Sequence, residues 1–171
     1  MMLSPVTIRP EQPADIEAIY DLTRRAFAPM SFSDQTEHYI VNALRAQGAL
    51  TLSLVAEHAG HVVGHVAFSP ASIADGSTGW YALGPISVEP SLQRHGIGRT
   101  LVTHGLQILA GLGATGCLLI GNPKLYQRFG FVHTTDLTYS PVDALHFLIY
   151  PFKPNTSRGE ISFHPAFEAN G

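Results

Sequence analysis

The segment from Trp80 to Leu112 constrains this 171-residue chain more than any other. Trp80 to Val88 is an apolar run rich in aromatic and β-branched residues, which reads as a strand. Glu89-Pro90-Ser91 breaks it, because Pro cannot extend a ladder and turns the residue before it away from helical geometry. Gln93-Arg94-His95-Gly96-Ile97-Gly98 follows and opens a helix expected over Gly98 to Leu112. Ile97, Leu101, Gly105, Ile108 and Leu112 track one face of it, with Val102 and Leu109 beside them, and Gly111 and Gly113 end it. Strand, tight turn and covering helix together demand a sheet with helices packed on it. The turn also gathers unpaired backbone N–H groups and the positive end of the helix dipole at one place, which suits a pyrophosphate. Arg94 and Arg99 flank it. The spacing matches neither the three-glycine dinucleotide fingerprint nor the Gly-Lys-Ser/Thr phosphate loop. An anion other than an obvious nucleotide triphosphate fits, and a tight turn without a ligand is the plain alternative.

The flanking segments supply further strands and helices. Val6 to Arg9 is a short strand stopped by Pro10. Pro13-Ala14-Asp15 opens a helix whose buried face carries Ile16, Ile19, Tyr20, Thr23 and Phe27. Ser33 is the expected N-cap of a second helix, Asp34 to Ala46, with Tyr39, Ile40, Ala43 and Leu44 inward. Leu52 to Glu57 and Val62 to Ser69 form a hairpin around Gly60, and Pro70 to Gly79 is a loop turning at Asp75-Gly76. Cys117 to Ile120 is a wholly apolar strand of the kind found in a sheet centre. Gly121-Asn122-Pro123 breaks it into a short helix, Lys124 to Phe129, closed by Gly130. Phe131 to Thr134 and His146 to Tyr150 read as strands that pair with each other, with Leu137 to Pro141 irregular between them. The whole chain, 1–171, is expected to be one domain, with 160–171 a docked C-terminal tail ending in Pro165-Ala166-Phe167.

Composition narrows the function classes. The net charge is −3 with histidine neutral, which argues against non-specific nucleic-acid binding. The lone Cys117 allows no disulfide within the chain and sits in an apolar run, so it reads as a core residue. There is no signal-peptide pattern and no apolar run long enough to span a bilayer, so no membrane partner is expected and a cytoplasmic location is the default. Nine histidines form no His-Glu-x-x-His, so no metal is expected.

Two ordered motifs carry a family resemblance that spans roughly residues 5–170. Gln93-Arg94-His95-Gly96-Ile97-Gly98 resembles the Gln/Arg-x-x-Gly-x-Gly/Ala segment of the GCN5-related N-acetyltransferases (GNAT), and Tyr126-Gln127-Arg128-Phe129-Gly130-Phe131 resembles the Tyr-x-Arg-Phe-Gly-Phe ending of the same fold. Leu83-Gly84-Pro85 and Ser162-Phe163-His164-Pro165-Ala166-Phe167 are similar to the YhbS-like branch of predicted acetyltransferases. The resemblance implies an acyl-CoA N-acyltransferase fold: α/β (α+β), with a mixed, mostly antiparallel central sheet flanked by helices. It implies acetyl-CoA as acyl-donor cosubstrate and direct transfer to a primary amine of a small molecule or protein through a ternary complex, with a homodimer allowed. A non-catalytic acyl-CoA-binding or regulatory module of the same fold is the alternative.

By the same resemblance, the strand Trp80 to Val88 splays from its neighbour so that Ile86, Ser87 and Val88 face the pantetheine arm. The pyrophosphate falls on Gln93, Arg94, His95, Gly96, Ile97, Gly98, Arg99 and Thr100, and Asn122 and Tyr126 complete the cofactor surface. A side chain at Gly96 is expected to intrude on backbone packing. Tyr126 is the catalytic candidate, because a phenol can donate a proton or hydrogen bond to the departing thiolate. The general base is not legible: Trp80-Tyr81-Ala82 holds no carboxylate where histone-directed relatives carry a glutamate. His65 reads as a core-edge histidine held by a hydrogen bond, with a base as the sharper alternative, and Glu89 as a cap or solvent-facing group. Phe32 and Tyr39 border the acceptor groove of the resembled fold and read first as ordinary core or rim packing.

Overall fold

The computed structural model describes residues 5–171. Its main sheet has the order β1-β2-β3-β5-β6-β8, built from β1 (Thr7–Pro10), β2 (Leu52–His58), β3 (His61–Pro70), β5 (Trp80–Val88), β6 (Gly116–Ile120) and β8 (Phe147–Pro151). A second sheet has the order β4-β9-β7, from β4 (Ser72–Ile73), β7 (Leu137–Thr138) and β9 (Gly159–Ser162). In the main sheet only β5 and β6 run parallel among the described residues; the other pairings are antiparallel. The mixed, mostly antiparallel sheet is the one expected.

Helix α3 (Ile97–Gly111) covers one face of the sheet, where Leu54, Ala56, Val66 and Phe68 meet Ile97, Leu101, Val102 and Leu109. The buried face of this helix is rotated from the one its periodicity predicts. Ile108 and Leu112 are exposed at 38% and 63%, and the buried stripe runs through Val102, Leu106 and Leu109 instead. Gly105 lies on that stripe because the Phe68 ring closes on the helix there, leaving no room for a Cβ. Helices α1 (Ile16–Phe27) and α2 (Glu37–Ala46) pack on the opposite face. Ser33 does not cap α2. Its hydroxyl accepts from the Gln35 N–H and donates to Glu37, a local turn that delays the helix to a Thr36 cap.

Three further expectations change. Phe131 to Thr134 is not a strand; it makes one bridge, Val132 to Ile149, on the edge of β8 away from β6. Leu137–Thr138 is not irregular but pairs with β9. Pro10 belongs to β1, at the sheet edge, where a missing N–H costs no ladder bond. The C-terminal turn Pro165–Glu168 packs Ala166 into a cluster with Ile40, Leu44 and Ala49.

The feature that matters most for function is in β5. Between Val66↔Ile86 and Phe68↔Leu83, β3 advances two residues while β5 advances three. The extra residue falls at Gly84-Pro85, where Pro85 has no N–H to give the ladder. On its other edge β5 pairs with β6 only from Trp80↔Gly116 to Ala82↔Leu118, so the two strands part just before the bulge. The splay of β5 from β6 is therefore present.

Gly105→Ala tests the packing of α3. A Cβ there would approach Phe68 to 2.3 Å. Alanine gains about 1 kcal/mol in helix propensity, while overpacking costs about 1–3 kcal/mol, so the variant is expected to unfold at lower denaturant. Phe68→Leu combined with Gly105→Ala should recover part of that loss in a double-mutant cycle. A Gly105→Ala protein more stable than the parent would contradict this packing.

Candidate active site

The cleft opened by the parting of β5 and β6 holds two cavities. The first, about 650 Å³, lies between the end of β5 and the start of α3 and is lined by Ile86, Ser87, Val88, Gln93, Arg94, Gly96, Ile97, Gly98 and Arg99 among others. Arg94 and Gly96 take left-handed backbone conformations, φ +68° and +86°, which bend the chain from β5 into α3. The Gln93 side chain bonds back to the Val88 carbonyl at 3.3 Å. The first helical bond at this end runs from the Thr100 N–H to the Gly96 carbonyl, so the N–H groups of the first helical turn are left without intrahelical partners. Nothing lies within 4 Å of where a Gly96 Cβ would stand. The expected steric clash is absent; glycine is favoured there by its positive φ.

The second cavity, about 800 Å³, lies on the other side of the bulge and is lined by Leu83, Gly84, Pro85, Leu119, Gly121 and Asn122 together with residues of α1, α2, the linker between them and the C-terminal turn. Ile86, Leu125, Tyr126 and Met30 line both cavities. Tyr126 thus stands at the junction, on the one-turn helix α4 (Pro123–Tyr126), which Asn122 caps by accepting from the Lys124 N–H at 2.9 Å. Its ring packs on Phe129 and Phe131 at centroid distances of 6.1 and 5.9 Å. Burial, and secondarily the Cys117 thiol, raise its pKa above the ordinary phenol value, so it is a neutral O–H donor at physiological pH.

Not every expected residue falls in the first cavity. His95 and Thr100 line neither; His95 is exposed, and the Thr100 hydroxyl donates to the Gly96 carbonyl. Asn122 lines the second cavity rather than the first. Arg128 and Phe129, matched to a family motif but given no role, line the first. Phe32 is 80% exposed and lines the second cavity, so it is not core packing, whereas Tyr39 packs against Tyr20 and His38. Glu89 neither caps nor floats free: it pairs with Arg25 of α1 at 2.6 Å, and its N–H bonds the Val63 carbonyl. Cys117 is fully buried and burial pushes its thiol pKa up, which leaves it protonated and inert.

His65 lines neither cavity. It is fully buried, with Nε2 2.8 Å from the Ser53 hydroxyl. Ser53 gives its proton to Glu11, so Nε2 carries the hydrogen and donates to Ser53. Nδ1 is left without a partner among the described residues, as is the hydroxyl of its cross-strand neighbour Ser87. Burial pushes the Glu11 pKa up, but the Arg45 guanidinium at 2.8 Å and Ser53 outweigh it and hold the carboxyl below its usual range. Burial pushes His65 down to about 4, so it is neutral in the folded protein.

The Acetyltransferase (GNAT) family model matches residues 16–131. Over 125 residues, 72% of this chain and 72% of its counterpart, the sequence is 39% identical to the uncharacterized N-acetyltransferase YhbS of Escherichia coli strain K12. Among solved structures it resembles a GNAT family acetyltransferase from Brucella melitensis in complex with acetyl-CoA, with a TM-score of 0.86 and 44% identity over 96% of this chain and 99% of that one. It also resembles YhbS from Escherichia coli in complex with CoA, with a TM-score of 0.88 and 32% identity over 100% and 98% of the two chains.

His65 gives a pH prediction. The unfolded state protonates it near pH 6.5 and the folded state only near 4, so between these values the unfolded chain binds more protons. Stability is complete above pH 6.5 and falls as pH drops to about 4, by up to ~3 kcal/mol at 1.36 kcal/mol per pKa unit. His38, lowered by burial, adds in the same direction, while Glu11 and Asp15 act only at lower pH, because their carboxyls are held below the usual range. Denaturant midpoints should fall between pH 6.5 and 4.5 and fall less in His65→Gln. An equal slope in the two proteins would remove His65 from the account.

Proposed function

Because this chain belongs to the acetyltransferase (GNAT) family, we propose that it transfers the acetyl group of acetyl-CoA directly to a primary amine, with donor and acceptor held together in the two cavities. The observation that carries the reading is the junction: two cavities meet at Ile86 and Tyr126, one bordered by arginines and a helix start, the other largely apolar. Relatives solved with acetyl-CoA and CoA support the choice of donor.

The residues divide the work as follows. The free N–H groups at the start of α3, with Arg94 and Arg99, hold the pyrophosphate. The edge of β5 beyond Ala82, unpaired toward β6, offers backbone polar groups around Ile86, Ser87 and Val88 to the amides of the pantetheine arm. The acetyl thioester then lies at the junction, beside Tyr126. The amine nitrogen attacks the thioester carbonyl carbon; the C–N bond forms, the C–S bond breaks, and nitrogen loses its extra proton to water. The departing sulfur accepts a hydrogen bond from Tyr126 and takes its proton from water, giving an amide and a free thiol. A phenol whose pKa is raised above 10 is a weaker acid than a thiol of pKa about 8.5, so Tyr126 stabilises the thiolate by hydrogen bonding rather than by surrendering its proton. The inert, buried Cys117 supports direct transfer without an acyl-enzyme.

Calorimetry with acetyl-CoA tests the donor site. Valine at Gly96 should weaken binding about tenfold or more, since a β-branched residue at φ +86° is strained by about 1–3 kcal/mol. Asparagine, which tolerates the left-handed region and meets open space there, should nearly preserve it. Equal affinity in both variants would move the pyrophosphate elsewhere.

Tyr126→Phe tests the junction. Affinity for acetyl-CoA should hardly change, while turnover of an accepted amine, followed as thiol release, should fall about 10²-fold, as for loss of one preorganised hydrogen-bond donor to developing negative charge. The ratio of the two turnovers should stay flat below pH 9, because Tyr126 does not ionise there. Unchanged turnover would reduce Tyr126 to a packing residue.

A further inference from the structure

The two cavities differ in charge. The lining of the first includes Arg94, Arg99 and Arg128 and no carboxylate. The lining of the second includes Glu37 and Glu168 and neither Lys nor Arg. Its one histidine, His164, spends Nδ1 accepting from the Ala166 N–H at 3.0 Å, which leaves Nε2–H turned to other uses. The rest of the wall is mostly apolar and aromatic. Tyr139, Phe163 and Phe167 form a run of rings 5.0 and 5.1 Å apart, and Phe32, on the same lining, is 80% exposed.

We propose that the acceptor is a small aryl-bearing primary amine with no carboxylate beside its amino group. This rests on the transfer reading above and adds the chemical class of the substrate. A cationic amine is drawn toward Glu37 and Glu168 and can pass over aromatic faces, which attract cations. An α-carboxylate would meet two like charges and find no guanidinium or ammonium to pair with, a juxtaposition that specific sites use for rejection. The aromatic wall matches a ring, which can stack or take edge contacts, better than a string of methylenes. Covering Phe32 buries apolar area that the free protein leaves in water. The junction is lined by Met30, Ile86 and Leu125 beside Tyr126. Their apolar surface disfavours the ammonium, so the nitrogen sheds one proton to water and arrives neutral for attack on the thioester.

The experiment pairs phenethylamine with phenylalanine, which differ by one carboxylate, and adds a capped lysine peptide. Thiol release with acetyl-CoA is followed on the full-length protein, and binding to the CoA-loaded protein is followed by calorimetry. Phenethylamine is expected to exceed phenylalanine in kcat/KM by about 100-fold. Glu37→Gln combined with Glu168→Gln should raise the KM for phenethylamine about tenfold, leave kcat close to the parent value, and narrow the gap to phenylalanine. Phe32→Ala should raise the same KM severalfold without altering affinity for acetyl-CoA. Phenylalanine or the lysine peptide turned over as well as phenethylamine would overturn the proposal while leaving acetyl transfer standing. Phenethylamine bound in preference to phenylalanine without any turnover would support the proposed class of ligand and overturn the transfer reading. No binding of phenethylamine at millimolar concentration, with acetyl-CoA still bound, would overturn the proposal.

Discussion

The parting of β5 from β6 is the constraint on which the site depends. Parallel strands gain by pairing along their whole length, and these two pair over three residues before the ladder stops at Ala82 and Leu118. The stop has a local cause in Gly84-Pro85, which offers no N–H at Pro85 and carries the extra residue against β3. The sheet nevertheless stays continuous, because β3 holds β5 on one edge and β8 holds β6 on the other. A bulge that would weaken an ordinary sheet here opens a cleft in its middle without dividing the core. Everything placed at that cleft follows from it: the free strand edge, the helix start beside it, and the short helix that brings Tyr126 to its floor.

Charge is then distributed over the two sides of the opening by elements distant in sequence. The arginines come from the turn into α3 and from the segment after α4, while the carboxylates come from α2 and the C-terminal turn. The C-terminal turn reaches the cleft only because Ala166 is buried against α2. The acidic side is therefore a product of tertiary packing, whereas the basic side is largely contained in one continuous stretch of chain.

That difference explains how much was legible in the sequence. The strand Trp80 to Val88, the glycine turn and the helix after it form one local unit with its own periodicity and breakers, and the structure reproduces them within a residue or so. The sheet class followed from the same unit and from the motifs around it. The buried stripe of α3 was displaced because helical periodicity alone cannot say where the axis lies on a sheet; Phe68 against Gly105 decides that. Ser33 looked like a cap because side-chain chemistry at a cap and in a local turn is the same. The splay was inferred by resemblance alone, although Gly84-Pro85 inside an apolar strand was a physical signal for it. The second cavity was hardly readable, since Glu37, Tyr139, Phe163 and Glu168 become neighbours only through long-range packing.

The salt bridge between Arg25 and Glu89 joins segments far apart in the chain. Glu89 follows directly on β5 and its N–H is tied to β3, while Arg25 lies in the last turn of α1, next to the linker that carries Met30 and Phe32. One carboxylate therefore ties the strand end that leads into the glycine turn to the last turn of α1, beside that linker. The Arg25 side of the pair is half exposed, so it is a surface tie between strand end and helix whose strength falls as salt is added.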